Sequence, residues 1–216
     1  MKEQKSPKTS EDKAKEPINW KAEIISWIQI LVAAAAIAFV LNTFIIANSR
    51  VPSASMENTI MTKSRVIGSR LSYKFHDPER GDIAIFVFGY DCKQCGITYQ
   101  ETPEGVCPVC GRADKRNSTI YYVKRIIGLP GDTIDIKDGH VYLNGSDTPL
   151  DEPYLPEPME TPEELHYEVP EGHYFMMGDN RNNSADARFW RYSYISEDKI
   201  IAKVLFRYFP TIGKIE

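Results

Sequence analysis

From Ile24 to Ala47 the chain reads IISWIQILVAAAAIAFVLNTFIIA, twenty-four residues without a charge. At 1.5 Å rise per residue a helix of this length spans ~36 Å, against ~30 Å for the hydrocarbon core of a bilayer. It is long enough to cross with some tilt. The polar residues Gln29 and Asn42 lie toward its ends, and Trp27 sits where an interfacial indole is favoured. A buried core helix is the first alternative, but one with no polar face would be unusual in so short a chain. A cleaved targeting peptide is the second. Ala33–Ala36 offer small-residue cleavage positions, yet the apolar run continues past them and exceeds the usual targeting core. The reading is an uncleaved transmembrane helix over residues 23–47.

The flanks set the organisation. Residues 1–22 hold six lysines and four acidic residues, net +2, and almost nothing apolar, which predicts a disordered tail. Its lysines favour the cytoplasmic side, with the bulk of the chain, residues 48–216, extracytoplasmic. The whole chain carries −4, so everything after residue 22 carries −6, which gives no footprint for nucleic-acid binding. A mean hydropathy of −0.37 looks soluble only because it averages an apolar span with a polar remainder.

Beyond residue 48 the patterns are short and β-like. Asp82–Phe88 and Ile120–Ile127 are runs of β-branched and aromatic residues. Thr133–Ile136 and His140–Leu143 flank a Lys-Asp-Gly turn, and Asn144-Gly145 marks another. His173–Met177 and Ile200–Tyr208 complete the expected strands. Thr148–Pro170, with six prolines, reads as a loop or extended arm. The expected fold is mainly β, on one N-terminal membrane helix.

All four cysteines fall within residues 92–110, as Cys92-x2-Cys95 and Cys107-x2-Cys110, each pair followed by glycine. Two such knuckles supply four thiolates for a tetrahedral site, which suits structural zinc. Disulfides, permitted outside the cytoplasm, and iron remain alternatives. The module reads as a zinc-ribbon-like insert over residues 91–111. Four thiolates leave no open position for metal catalysis.

Three polar clusters remain: Val51-Pro-Ser-Ala-Ser-Met56 just after the apolar run, Tyr122-Val-Lys-Arg-Ile-Ile-Gly-Leu-Pro-Gly-Asp132, and Met177-Gly-Asp-Asn-Arg-Asn-Asn-Ser-Ala-Asp-Ala-Arg188. Singly, each reads as a loop, a snorkelling lysine or a surface ion pair. Together, with RGDIAIF from Arg80, they resemble bacterial type I signal peptidase (leader peptidase) over residues 24–206, apart from the cysteine insert. That resemblance implies a membrane-bound serine endopeptidase acting on secretory preproteins at the bilayer, with the secretion machinery as a further partner. No cofactor is implied for catalysis.

The resemblance implies a Ser–Lys dyad, with Ser55 as nucleophile and Lys124 as general base. A serine hydroxyl is weak until a base takes its proton. A lysine of pKa ~10.4 serves only when desolvated, which an apolar strand can achieve if alternation turns Lys124 inward and Arg125 away. The family pattern further implies that the Ser55 N–H and the Ser53 hydroxyl bind the oxyanion and that Ser184 orients the lysine. Asp186 and Arg188 would brace the same loop, and Asp179 and Arg181 would belong to its framework. Val51, Met56, Ile60, Tyr122 and Val123 match positions lining small pockets for an A-x-A-like cleavage site. The sequence departs from the pattern at Asn58, where proline is usual, at Ile60 for leucine, and at Asn182 and Ala187. A Ser-His-Asp alternative would draw on His76, His140, His166 or His173, none of which sits in a recognisable triad motif.

Overall fold

The structure is a computed structural model that describes residues 20–161 and 163–215. Most of the expected tail therefore lies outside the described residues, while Trp20–Ala22 are already helical. Helix α1 runs Trp20–Val40 and, beyond Lys21 and Glu23 in its first turn, carries no charge on any side. A single π turn, Leu41–Ile45, follows, and the apolar stretch Glu23–Ile45 meets the length and hydropathy needed to cross a bilayer. The expected boundary at residue 47 moves back, because Ile46 and Ala47 already belong to strand β1, Ile46–Arg50. Their β-branched and small side chains suit a strand as well as a helix, and the pairing of Ile46 with Ser69 and Ala47 with Gly68 decides for the strand.

The chain divides into two compact units at Val40/Leu41. The second unit is built from β1, β2 (Arg65–Ser69), a short helix α2 (Ser72–Phe75), β3 (Ile83–Asp91), β4 (Thr98–Gln100) and β5 (Ser118–Gly128). It continues through β6 (Thr133–Lys137), β7 (His140–Leu143), β8 (Leu165–Glu168), β9 (His173–Met177), β10 (Tyr194–Ser196), β11 (Ile200–Phe209) and β12 (Gly213–Lys214). The larger sheet has the order β1-β2-β11-β3-β5-β9-β10, with β12 on β11 and β4 on β3. A smaller sheet has the order β7-β6-β8. All strand pairings among the described residues are antiparallel, in keeping with the expected β-rich class.

The six anticipated strands appear, β3 reaching three residues further than expected. In the β6–β7 turn, Asp138 and Gly139 both have positive φ (51° and 77°), as the tight hairpin requires. The segment Thr148–Pro170 is not wholly loop, since Leu165–Glu168 forms β8 on the edge of the small sheet. Its exposed His166 and Glu168 alternate with half-buried Leu165 and Tyr167, a pattern too short to stand out beside six prolines.

Three apolar clusters fill the interior. Ala47, Val51, Met56, Ile60 and Val66 pack with Ile83, Ile85, Val123, Ala202 and Val204. Ile127, Ile134, Ile136, Val141 and Phe175 anchor a second cluster beneath the small sheet. Phe86, Ile126, Tyr174 and Met176 form a third. Strand β5 feeds all three, because its side chains alternate between faces of a sheet that is covered on both.

Candidate active site

The residue after β5's midpoint fixes the site. Lys124 pairs with Ala84 in the β3–β5 ladder, and its side chain is only 3% exposed. Burial lowers its pKa from an ordinary 10.5 to about 8. Asp186 and Asp179 pull the value back up and Arg188 pushes it down, so the nearby charges partly cancel and desolvation dominates. Lys124 Nζ donates a 2.9 Å hydrogen bond to Ser184 Oγ, itself buried.

Ser55 comes from the other side, in the loop that links β1 to β2. That loop is closed on itself by Val51 N–H to Ser64 O (2.9 Å) and Lys63 N–H to Val51 O (2.8 Å). Met56 and Ile60, both fully buried, pin it to the core. Asn58 has φ +78°, a conformation closed to proline, so the departure from the family pattern fits the turn formed here. Ser55 is buried, and its Oγ lies 3.2 Å from the Oγ of exposed Ser53.

The two halves meet at Gly178-Asp179-Asn180. Asn180 donates from its backbone to Ser55 O and from Nδ2 to Ala54 O, both at 3.1 Å. A Cβ on Gly178 would lie 2.2 Å from Ser184 Oγ and 2.4 Å from Ser55 O, so only glycine lets the Ser55 loop approach Ser184 this closely. Asp186 accepts from Gly178 N–H (3.0 Å) and from both arms of Arg188 (2.8 and 2.9 Å), with the pair fully desolvated. Arg188 Nη2 also donates to Arg181 O at 2.7 Å.

Several sequence expectations are refined. Arg125 leaves Lys124's face but not for solvent: it is buried and donates twice to Asp179, at 2.9 and 2.8 Å. Asp179 also accepts from Thr59 Oγ1 at 2.5 Å, tying the Ser55 loop to the same pair. Arg181 pairs with Glu152, a residue with no signal in the sequence, through both terminal nitrogens. Asn180 and Gly178 stood inside a recognised motif, but their contacts with the Ser55 loop could not be read from local sequence.

Ser55 and Lys124 open onto one cleft of about 480 Å³. Its walls are Arg50–Ser55 on one side, Ile120–Lys124 on the other, with Asn183 and Ala185 between. Val51, Tyr122 and Val123 line it, whereas Met56 and Ile60 lie in the core beneath and are not among its walls. None of the four histidines lines the cleft. Along β5, β3 occupies one edge from Ser118 to Arg125, while on the other edge β9 covers only Arg125–Gly128. From Ser118 to Lys124 that edge carries no strand among the described residues.

The four cysteines converge apart from this cleft. Their sulfurs all lie within 4.8 Å of one another, with Cys92–Cys110 at 3.5 Å and Cys95–Cys107 at 3.6 Å, and all four thiols are free. The two knuckles repeat one hydrogen-bond pattern. Gly96 N–H bonds Cys92 O and Gly111 N–H bonds Cys107 O, each at 2.9 Å; Cys92 N–H bonds Ile97 O and Cys107 N–H bonds Arg112 O, each at 2.8 Å.

Comparison with known proteins gives the family of the chain. The sequence profile "Signal peptidase, peptidase S26" matches residues 24–209. The chain is 32% identical over 205 residues to "Probable signal peptidase I-2" of Synechocystis sp., covering 94% of this chain and 79% of that protein. It is 34% identical over 190 residues to "Probable signal peptidase I-1" of the same organism, covering 85% and 81%. It is 31% identical over 207 residues to "Signal peptidase I" of Leptolyngbya laminosa, covering 94% and 86%. With a profile match that spans most of its length and a buried lysine and serine opening on one cleft, the chain belongs to the signal peptidase family, peptidase S26, a family of serine endopeptidases.

Proposed function

We propose that this protein removes signal peptides from secretory preproteins at a bilayer, using Ser55 as nucleophile and Lys124 as general base. The observation that carries the dyad is the burial of Lys124, whose pKa of about 8 leaves roughly a tenth of the amine neutral at pH 7. The neutral amine accepts the Ser55 hydroxyl proton as Oγ attacks the scissile carbonyl. The resulting ammonium gives that proton to the leaving amine, and Lys124 then activates water against the acyl-enzyme. Ser184, holding Nζ at 2.9 Å, orients the amine, and the Asp186–Arg188 pair braces the loop that carries Ser184.

Charge on the tetrahedral oxygen requires donors. The Ser55 N–H meets no acceptor among the described residues, and the Ser53 hydroxyl lies beside Ser55 Oγ. These two serve as the oxyanion hole. The substrate enters as an extended strand on the open edge of β5, so that alternate side chains point into the cleft. Val51, Tyr122 and Val123 form the walls that select small residues at the A-x-A positions, and Met56 and Ile60 support those walls from below.

The apolar helix anchors the enzyme as a single pass. In this reading the lysine-rich tail, residues 1–22, is cytoplasmic and the catalytic domain from residue 48 extracytoplasmic, where preproteins emerge from the secretion machinery. The insert, residues 91–111, holds one structural zinc. A tetrahedral site with Zn–S of ~2.3 Å has S···S edges of ~3.8 Å, near the spacings of the four sulfurs. Zinc there would cross-link the two knuckles and supply no catalytic step.

The direct test is cleavage of a preprotein bearing an A-x-A site by wild type, Ser55→Ala and Lys124→Ala. Each variant should lose at least ~10³-fold in kcat/KM. Full activity in either variant overturns the dyad. Elemental analysis should find about one zinc per chain, and two protected disulfides with no metal would overturn the zinc assignment.

A further inference from the structure

We propose that the cysteine insert acts as a brace for the catalytic cleft, with Gln100 as a positioning residue that couples the insert, through Tyr192 and Trp190, to the loop carrying Ser184. The proposal rests on the reading of Ser184 as the group that orients Lys124, and it assigns the insert a role in that site.

The insert is fastened to the sheet at its root. Strand β4 lies between the two cysteine knuckles and pairs with the far end of β3, Gly89 opposite Gln100. The approach is so close that a Cβ on Gly89 would fall 2.1 Å from Tyr99 O. Inside the insert, Cys92, Tyr99 and Cys107 form a small core, and the Tyr99 hydroxyl joins Asp114 and Asn117 in a buried polar set. So short a segment has little apolar area with which to hold its own shape, so the cross-link between knuckles fixes where β4 lies.

From β4 the insert reaches the catalytic domain by two polar ties. Gln100 donates from Nε2 to Tyr192 O at 2.6 Å and accepts from Tyr192 N–H at Oε1 at 3.0 Å. Lys199 pairs with Glu101 at 2.7 Å. Around these ties the contact is loosely filled, since a cavity of about 350 Å³ opens between Gln100–Pro103 and the segment Tyr192–Lys199. Packing alone does not fix this contact, and the Gln100 amide does much of the fixing.

Tyr192 is two residues from Trp190. That indole sits 5.0 Å from the Phe88 ring, which in turn stacks at 4.1 Å on Tyr122 in the cleft wall. Its Nε1–H donates to Ala185 O at 3.2 Å. The intervening turn is short and stiff, with the Phe189 and Trp190 N–H groups both bonded to Asp186 O. Ala185 lines the cleft and is the neighbour of Ser184. A shift at Tyr192 therefore reaches Ser184 through a short bonded path rather than through a flexible loop.

The test uses the full chain in detergent with Trp20→Phe and Trp27→Phe, leaving Trp190 as the sole indole. Gln100→Ala should keep its zinc by elemental analysis, yet show red-shifted Trp190 emission and about twofold stronger acrylamide quenching. On an A-x-A peptide its kcat should fall about tenfold, with KM changed less than threefold. Its pH–rate midpoint should rise as water reaches Lys124. Gln100→Glu, which keeps the acceptor and loses the donor, should fall between. Stripping zinc from the Gln100-intact protein with a chelator should give the same emission change, and adding zinc alone should reverse it. Unchanged emission and an unchanged pH–rate midpoint in both Gln100→Ala and the stripped protein would overturn the brace. That result is distinct from failure of the dyad, which would appear as activity retained in Ser55→Ala or Lys124→Ala whatever Trp190 reports.

Discussion

Replacing Lys124 with methionine should inactivate the protein and at the same time stabilise it. The side chain lies in a nearly water-free position, and desolvation lowers its pKa from 10.5 to about 8. Each pKa unit corresponds to 1.36 kcal/mol, so holding a charged lysine there costs about 3.4 kcal/mol of folding stability at pH values below 8. The sign follows from proton counting. Between pH 8 and 10.5 the unfolded chain binds the proton and the folded chain does not, so stability rises with pH through that window. Above it the amine is neutral in both states and the cost disappears. Methionine has similar length and no charge, so the variant lacks this pH-dependent cost. It leaves Ser184 Oγ without its donor, which offsets about 1 kcal/mol of the gain. At pH 7 the variant should be about 2 kcal/mol more stable. On moving from pH 7 to pH 10, the wild type should recover about 2.5 kcal/mol relative to it. Denaturant unfolding of the full chain in detergent at both pH values measures this difference, with titrations common to both proteins cancelling. If Lys124→Met is less stable at pH 7 and the difference does not change with pH, the lysine is not desolvated as argued. The proposed route to a neutral base then fails with it.

Four further outcomes follow from the same geometry. The rate of preprotein cleavage should climb with pH and level off above a midpoint near 8, because only the neutral Lys124 amine accepts a proton; a profile flat from pH 6 to 10 would contradict this. Gly178→Ala should cut kcat at least ~100-fold while the β-rich circular dichroism persists, since the added carbon falls 2.2 Å from Ser184 Oγ; retained turnover would show that the Ser55 loop and Ser184 need not approach. Arg125→Met should destabilise by about 3–5 kcal/mol in denaturant unfolding, by stranding Asp179 without its buried partner; a loss under ~1 kcal/mol would mean that water reaches the pair. Ile60→Ala should cost about 2–5 kcal/mol with the A-x-A preference intact, as befits a core side chain, whereas Val51→Phe should narrow the cleft and alter that preference; the opposite pattern would return Ile60 to the cleft wall.

Some of this was legible because its cause is local. The lysine strand announced itself through Tyr-Tyr-Val-Lys-Arg-Ile-Ile, since a run of β-branched and aromatic side chains has few other stable arrangements. The cysteine knuckles were legible because their spacing alone brings sulfurs together. Strand β1 was not, because Ile46 and Ala47 fit a helix or a strand equally and only the partner residues Gly68 and Ser69 choose. The fate of Arg125 was also hidden. Nothing near it in sequence says that Asp179, fifty-four residues on, awaits it on the far face of the sheet. Met56 and Ile60 show the same limit, since apolar residues beside a cleft and apolar residues beneath it look alike in a sequence.

The sequence by itself determined a long apolar helix, a β-rich remainder, a four-thiol knuckle pair and the residue types of the site, because each depends on composition or on spacing within a few residues. Only the tertiary structure decided which of those residues meet. It buried Lys124 enough to hold its pKa near 8, joined the Ser55 loop to Ser184 across Gly178 and Asn180, and set Gln100 against Tyr192. Those outcomes turn on how distant strands exclude water and on how closely two backbones approach, and neither quantity is written in any local stretch of the chain.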